Sequence, residues 1–100
     1  MGFEVLAEPN RRRILDLLRG GERPVNELVT GLGLSQPAVS KHLRVLREAG
    51  LVTVRGDAQR RFYRINPQPL QELDAWLAPY RELWNTSLDA LEAHLNRRNQ

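Results

Sequence analysis

Cysteine is absent from all 100 residues, which excludes disulfides, thiolate nucleophiles and cysteine-held metals. Histidine is scarce. His42 and His94 stand far apart, and Asp89 and Glu92 near His94 do not complete a nitrogen–oxygen metal set. No apolar run approaches the length of a membrane span, and the first residues lack the basic-then-apolar layout of a signal peptide. There is no glycine-rich phosphate loop, no His–Glu–x–x–His run and no Ser–His–Asp grouping, while Glu22, Glu27 and Glu48 are scattered. These absences argue against an enzyme. They lead us to expect a cytosolic chain with no cofactor, no bound metal and no membrane partner.

What is present suits a single domain over residues 1–100. Hydrophobic residues make up 41% and charged residues 27%, a balance that builds a packed core rather than a disordered chain. The net charge of +3 is unevenly spread. Residues 1–66 carry 12 Arg or Lys against 7 Asp or Glu, whereas residues 67–100 carry 3 against 5. The basic excess therefore belongs to the first part of the chain, where it favours a polyanionic partner.

Along that part, Phe3 to Leu6 is a short apolar-rich lead-in, followed by Pro9-Asn10. Arg11 to Arg19 reads as a helix with Ile14, Leu15, Leu17 and Leu18 on its apolar side and Gly20-Gly21 as its stop. Pro24 opens a second helix, Val25 to about Leu32, with Val25, Leu28 and Val29 inward. A third follows almost at once, after Gly31 and Gly33. Two helices joined by a tight, glycine-containing turn, over about residues 25–49, form a helix-turn-helix candidate.

The third helix carries the most information. Ser35 is a good N-cap, and Pro37 suits a first turn where its missing N–H costs nothing. At about 100° per residue, Leu43 and Leu46 fall within roughly 40° of Val39, which defines a buried stripe. Pro37, Ser40, Lys41 and Arg44 fall on the far side, with Gln36 at its edge. Gln pairs with adenine, while Arg and Lys reach guanine or phosphate, so this face suits the DNA major groove. A solvated surface face is the plainer alternative. His42 lies on the shoulder of the buried stripe, where a satisfied, partly buried imidazole is the expectation.

Beyond Gly50, Leu51 to Arg55 turns β-branched and extended, Gly56 to Gln59 supplies turn residues, and Arg60 to Ile65 returns as a second strand. The result, over residues 51–66, is a two-stranded hairpin with a basic tip. Arg55, Arg60 and Arg61 are its candidates for phosphate or minor-groove contact, and Arg64 and Tyr63 lie nearer its base. The fold class is thus mainly α (α+β), a winged helix-turn-helix. After Pro67 and Pro69, apolar residues recur every three or four positions over residues 70–97: Leu73, Trp76, Leu77, Tyr80, Leu83, Trp84, Leu88, Leu91 and Leu95. This is one long amphipathic helix with an expected bend near Pro79. Its cover is either a second copy of the chain or the domain's own core. The small core favours a homodimer, with Leu73 through Leu91 as interface.

Leu6-Ala7-Glu8-Pro9-Asn10-Arg11-Arg12-Arg13-Ile14-Leu15, then Leu34 to Leu43, Leu46 and Ala49 to Val52, and finally Arg61, Tyr63 and Ile65, resemble the ArsR-type winged helix repressors over nearly the whole chain. The resemblance implies a homodimeric transcriptional regulator, usually a repressor, on an imperfect palindrome of double-stranded DNA. It also implies a dimer interface built from the first and last helices. Many members sense metals through cysteines or through paired histidines and carboxylates on the last helix. Without those, this chain resembles the metal-independent branch, whose last helix has the pattern of Trp76, Leu77, Arg81 and Trp84. Some of that branch are autorepressors. A small-molecule effector between the last helices, and a protein-interaction module on the same scaffold, are the alternatives left open.

Overall fold

In a computed structural model, the structure describes residues 3–98, with the side chains of residues 3, 86–89 and 98 left aside. Five helices and three short strands follow in the order α1 (Phe3–Ala7), α2 (Pro9–Leu18), β1 (Arg23–Pro24), α3 (Val25–Leu32), α4 (Gln36–Glu48), β2 (Val52–Asp57), β3 (Arg60–Ile65) and α5 (Pro67–Arg98). This is the expected winged helix-turn-helix. None of the described helices is long and apolar enough to cross a membrane.

Two compact units divide the chain, one reaching to Leu70 and one beginning at Gln71. The first holds the core. Ile14, Leu28, Val39, Leu43, Leu46 and Val52 are its most deeply buried side chains, one residue or more from each of α2, α3, α4 and β2. A fully buried Leu or Ile contributes about 1.5–3 kcal/mol, so this set is the main source of the unit's stability.

The lead-in to α2 is itself a helix, α1, which is too short for its periodicity to show in sequence. Its terminal carbonyls are met by arginines from α2. Arg11 Nε donates to Val5 O at 2.6 Å, and Arg12 Nη1 donates to Leu6 O and Ala7 O at 2.7 and 3.1 Å. Cations suit a helix C-terminus, where carbonyls lack amide partners. Arg13 reaches further, donating to Leu32 O at the end of α3 and to Asn10 Oδ1.

Two glycines shape the link between α2, α3 and α4. Gly31 lies inside α3, and a Cβ there would stand 3.0 Å from Leu17 Cδ1 of α2. Gly33 ends α3 at φ +68°, its amide donating to Val29 O at 3.0 Å. That left-handed cap is what turns the chain toward α4.

The wing differs from the expected hairpin in two respects. Gly56 and Asp57 extend β2 instead of forming the turn, because Ala58 takes the positive φ of +56° and leaves Ala58-Gln59 as the loop. The sheet also has a third strand. Arg23 and Pro24 pair with Tyr63 and Phe62, giving the antiparallel order β1-β3-β2. A third strand supplies the support that an isolated hairpin lacks. At the wing base Asn66 Nδ2 donates to Gly50 O and Asn66 N to Leu51 O, both at 2.9 Å.

The second unit holds α5 from Gln71 onward, and the helix runs through Pro79 as one continuous element. Trp76 and Tyr80 meet one turn apart in a tilted pair, with ring centroids 4.9 Å apart and planes 39° apart, and Arg81 is ion-paired with Asp74.

Candidate nucleic-acid interface

The N-terminus of α4 forms as its residues dictate. Ser35 Oγ accepts the Ala38 amide at 3.3 Å, and Pro37 occupies the first turn. With Val39, Leu43 and Leu46 at most 1% exposed, the opposite face must look outward. Gln36, Pro37, Ser40, Lys41 and Arg44 are all exposed there.

That face and the wing enclose a cleft of about 760 Å³. On the α4 side it is lined by the five residues just named. Arg60 and Arg61 line the wing side. Seven of the eight side chains singled out from sequence for DNA contact therefore share one concave surface. Three polar residues that the sequence reading passed over join them: Asn26 at the start of α3, Arg47 on α4 and Gln59 in the wing loop. Arg47 was within reach of the helical count, since it lies one turn beyond Arg44 and about 20° from Ser40. Asn26 and Gln59 had no such signal, because only the folded chain brings them to the cleft.

The eighth residue, Arg55, is engaged elsewhere. Its Nε donates to Glu22 Oε1 and Oε2 at 3.0 and 2.9 Å, and its Nη2 to Oε1 at 2.5 Å. Its guanidinium carbon also sits 4.7 Å from the centre of the Phe62 ring. The hydrogen bonds from Arg55 lower the Glu22 carboxyl below the ordinary carboxylate value, against an opposing desolvation effect. The Arg55 guanidinium is raised by the same contact. Lower on the wing, Tyr63 is buried and Arg64 Nε donates to Thr53 Oγ1 at 3.2 Å, which gives both residues structural roles.

His42 faces away from the cleft. Its side chain is 18% exposed, and Nδ1 lies 3.8 Å from Glu8 Oε2 with no hydrogen-bond partner. The expected partly buried imidazole is present, but it is not satisfied at that nitrogen. Among the described residues no group of His, Asp and Glu is placed to hold a metal ion.

The apolar stripe of α5 is exposed in part. Trp76, Tyr80 and Trp84 are 44–46% exposed and Leu83, Leu91 and Leu95 more so, while Leu73 and Leu77 are half-buried. Leu88 falls among the side chains outside the described residues.

Residues 8–54, from the N-cap of α2 into β2, match the model of the bacterial regulatory proteins of the arsR family. A curated relative, the transcriptional repressor SdpR of Bacillus subtilis, is 32% identical over 75 residues, which span 75% of this chain and 83% of that protein. The chain belongs to the arsR family of bacterial regulatory proteins. Among solved arsR-like structures, a possible transcriptional regulator for arsenical resistance is 51% identical with a TM-score of 0.70, over 77% of this chain and 80% of that one. The homodimeric winged helix-turn-helix DNA-binding domain of Mb0332 from Mycobacterium bovis is 34% identical with a TM-score of 0.65, over 79% of this chain and 73% of that one. These arsR-family relatives are regulators, not enzymes.

Proposed function

We propose that this arsR-family chain is a homodimeric, sequence-specific repressor of a palindromic operator. The observation that carries the reading is the cleft. It gathers Lys41, Arg44, Arg47, Arg60 and Arg61 around the polar face of α4, with Gln36 and Ser40 between the charges. Phosphate contacts from the cations supply affinity, and base-edge contacts from Gln36, Ser40, Lys41 or Arg44 supply choice. Pro37 packs on a base methyl or sugar. In this reading α4 enters the major groove, and Arg60 and Arg61 track the adjacent backbone or minor groove.

Dimerisation through α5 is supported by the exposed Trp76, Tyr80, Leu83, Trp84 and Leu91 with half-buried Leu73 and Leu77 on the same stripe, and by the homodimeric state of the Mycobacterium bovis relative. Leu88 belongs to the same stripe by its spacing. Two-fold symmetry then sets the two α4 helices about 34 Å apart, in successive major grooves. The lack of cysteine supports a metal-independent member, and occupation of the operator represses by blocking polymerase access. Its own promoter is one candidate site.

Selection of bound fragments from the native genome, followed by competition with scrambled duplex at moderate salt, tests this directly. Recovery of a symmetric site that outcompetes its scrambled version is the expected result. Equal binding to both would end the proposal.

A further inference from the structure

Arg55 was nominated from sequence as a DNA contact, and its surroundings assign it different work. It sits on β2 directly opposite Phe62 of β3, and strand alternation puts both on the face away from buried Val52 and Tyr63. Three hydrogen bonds tie its guanidinium to Glu22, in the loop between α2 and β1, 33 residues earlier in the chain. Asp57 adds an oxygen of a second carboxylate at 3.9 Å. The planar fork of arginine is thereby filled by a carboxylate that matches it. Phe62 is shared: the Arg55 and Arg60 guanidinium carbons lie 4.7 and 5.2 Å from its ring centre. Arg60 is also part of the cleft wall.

We propose that Arg55 is a positioning residue, which ties the wing to the α2–β1 loop through Glu22 and, through Phe62, fixes the place of Arg60 in the cleft. This rests on the DNA-binding reading above. The device is one of geometry rather than charge: Glu22 brings a negative charge toward a surface that meets a polyanion, and it is tolerated because it sets the wing angle.

The two roles for Arg55 predict opposite signs. If Arg55 met phosphate, Glu22 would be its competitor, and Glu22→Gln would tighten DNA binding. As a positioning pair, Glu22→Gln weakens it despite removing a negative charge, by about two- to fivefold, the range of an exposed ion pair. The probe is a fluorescein-labelled duplex of random sequence, titrated at several NaCl concentrations. Arg55→Gln should give a similar loss with the salt slope unchanged, whereas loss of a phosphate contact lowers that slope by about 1. The charge-swapped double variant, Glu22→Arg with Arg55→Glu, should regain part of the lost affinity, because it restores the ion pair but not the guanidinium on Phe62, with circular dichroism reporting that each variant is folded. Tighter binding by Glu22→Gln, a reduced slope in Arg55→Gln or no rescue by the swap overturns the proposal alone. Wild-type protein that fails to hold the duplex even at low salt removes the DNA-binding reading and this proposal together.

Discussion

Glu8 Oε2 serves two partners at once: it accepts the Arg11 amide at 3.0 Å as the cap of α2, and it faces His42 Nδ1 of α4 at 3.8 Å. The second approach is too long for a hydrogen bond, so the imidazole nitrogen is buried without compensation. Its desolvation is a cost that an apolar side chain would not incur. His42→Leu should therefore leave stability within about 1 kcal/mol of wild type, whereas Glu8→Ala, which uncaps α2, should lose about 1 kcal/mol. Urea denaturation midpoints decide this. A large loss in the leucine variant would mean that the imidazole makes a bond its geometry does not suggest.

Arg44 lies mid-face on α4 and lines the cleft. If it reads a base, Arg44→Ala should weaken operator binding by about 1–3 kcal/mol and leave binding to random duplex little changed. Equal losses on the two DNAs would assign it to the backbone.

Trp84 is 45% exposed on the α5 stripe. Trp84→Glu should place a charge in the proposed interface and yield monomers with poor operator affinity. Sedimentation velocity that still finds a dimer would reject α5 as the seam.

The Glu22 carboxyl has a pH signature. Folding lowers its proton affinity through the hydrogen bonds from Arg55. Its contribution is therefore full above the unfolded-state value and is lost as pH falls through the lower folded value. The stability difference between wild type and Glu22→Gln should thus be present at neutral pH and vanish in acid. A difference that persists or grows below the carboxylate range contradicts the pairing.

Ala58 holds φ +56° in the two-residue wing loop, a conformation that costs an L-residue about 1–2 kcal/mol. Ala58→Gly relieves this at some cost in chain entropy, so a net gain of about 0.5 kcal/mol is expected. Faster amide exchange in β2 and β3 of the glycine variant would count against it.

The parts of the molecule legible in the sequence are those that obey local rules. Val39, Leu43 and Leu46 recur at the helical period, and their burial sends Gln36, Ser40, Lys41 and Arg44 outward without any knowledge of the rest of the fold. Ser35 and Pro37 likewise act within one turn. Pairings across long sequence separations left no such trace. Arg23-Pro24 is too short to read as a strand until Phe62 and Tyr63 lie beside it. The Glu22–Arg55 pair closes a loop that no spacing announces, so Arg55 looked like a tip arginine of the same kind as Arg60 and Arg61. Five residues of α1 span barely more than one turn, and their helix depends on donors supplied by α2.

Those donors also limit what a census of basic residues can say. The triplet Arg11-Arg12-Arg13 is the densest cationic run in the polypeptide, yet each guanidinium already spends hydrogens on main-chain oxygens. Counterions displaced when a duplex docks should accordingly number fewer per subunit than the arginine tally suggests. In the proposed complex the electrolyte response of binding is then set by the cleft-lining minority.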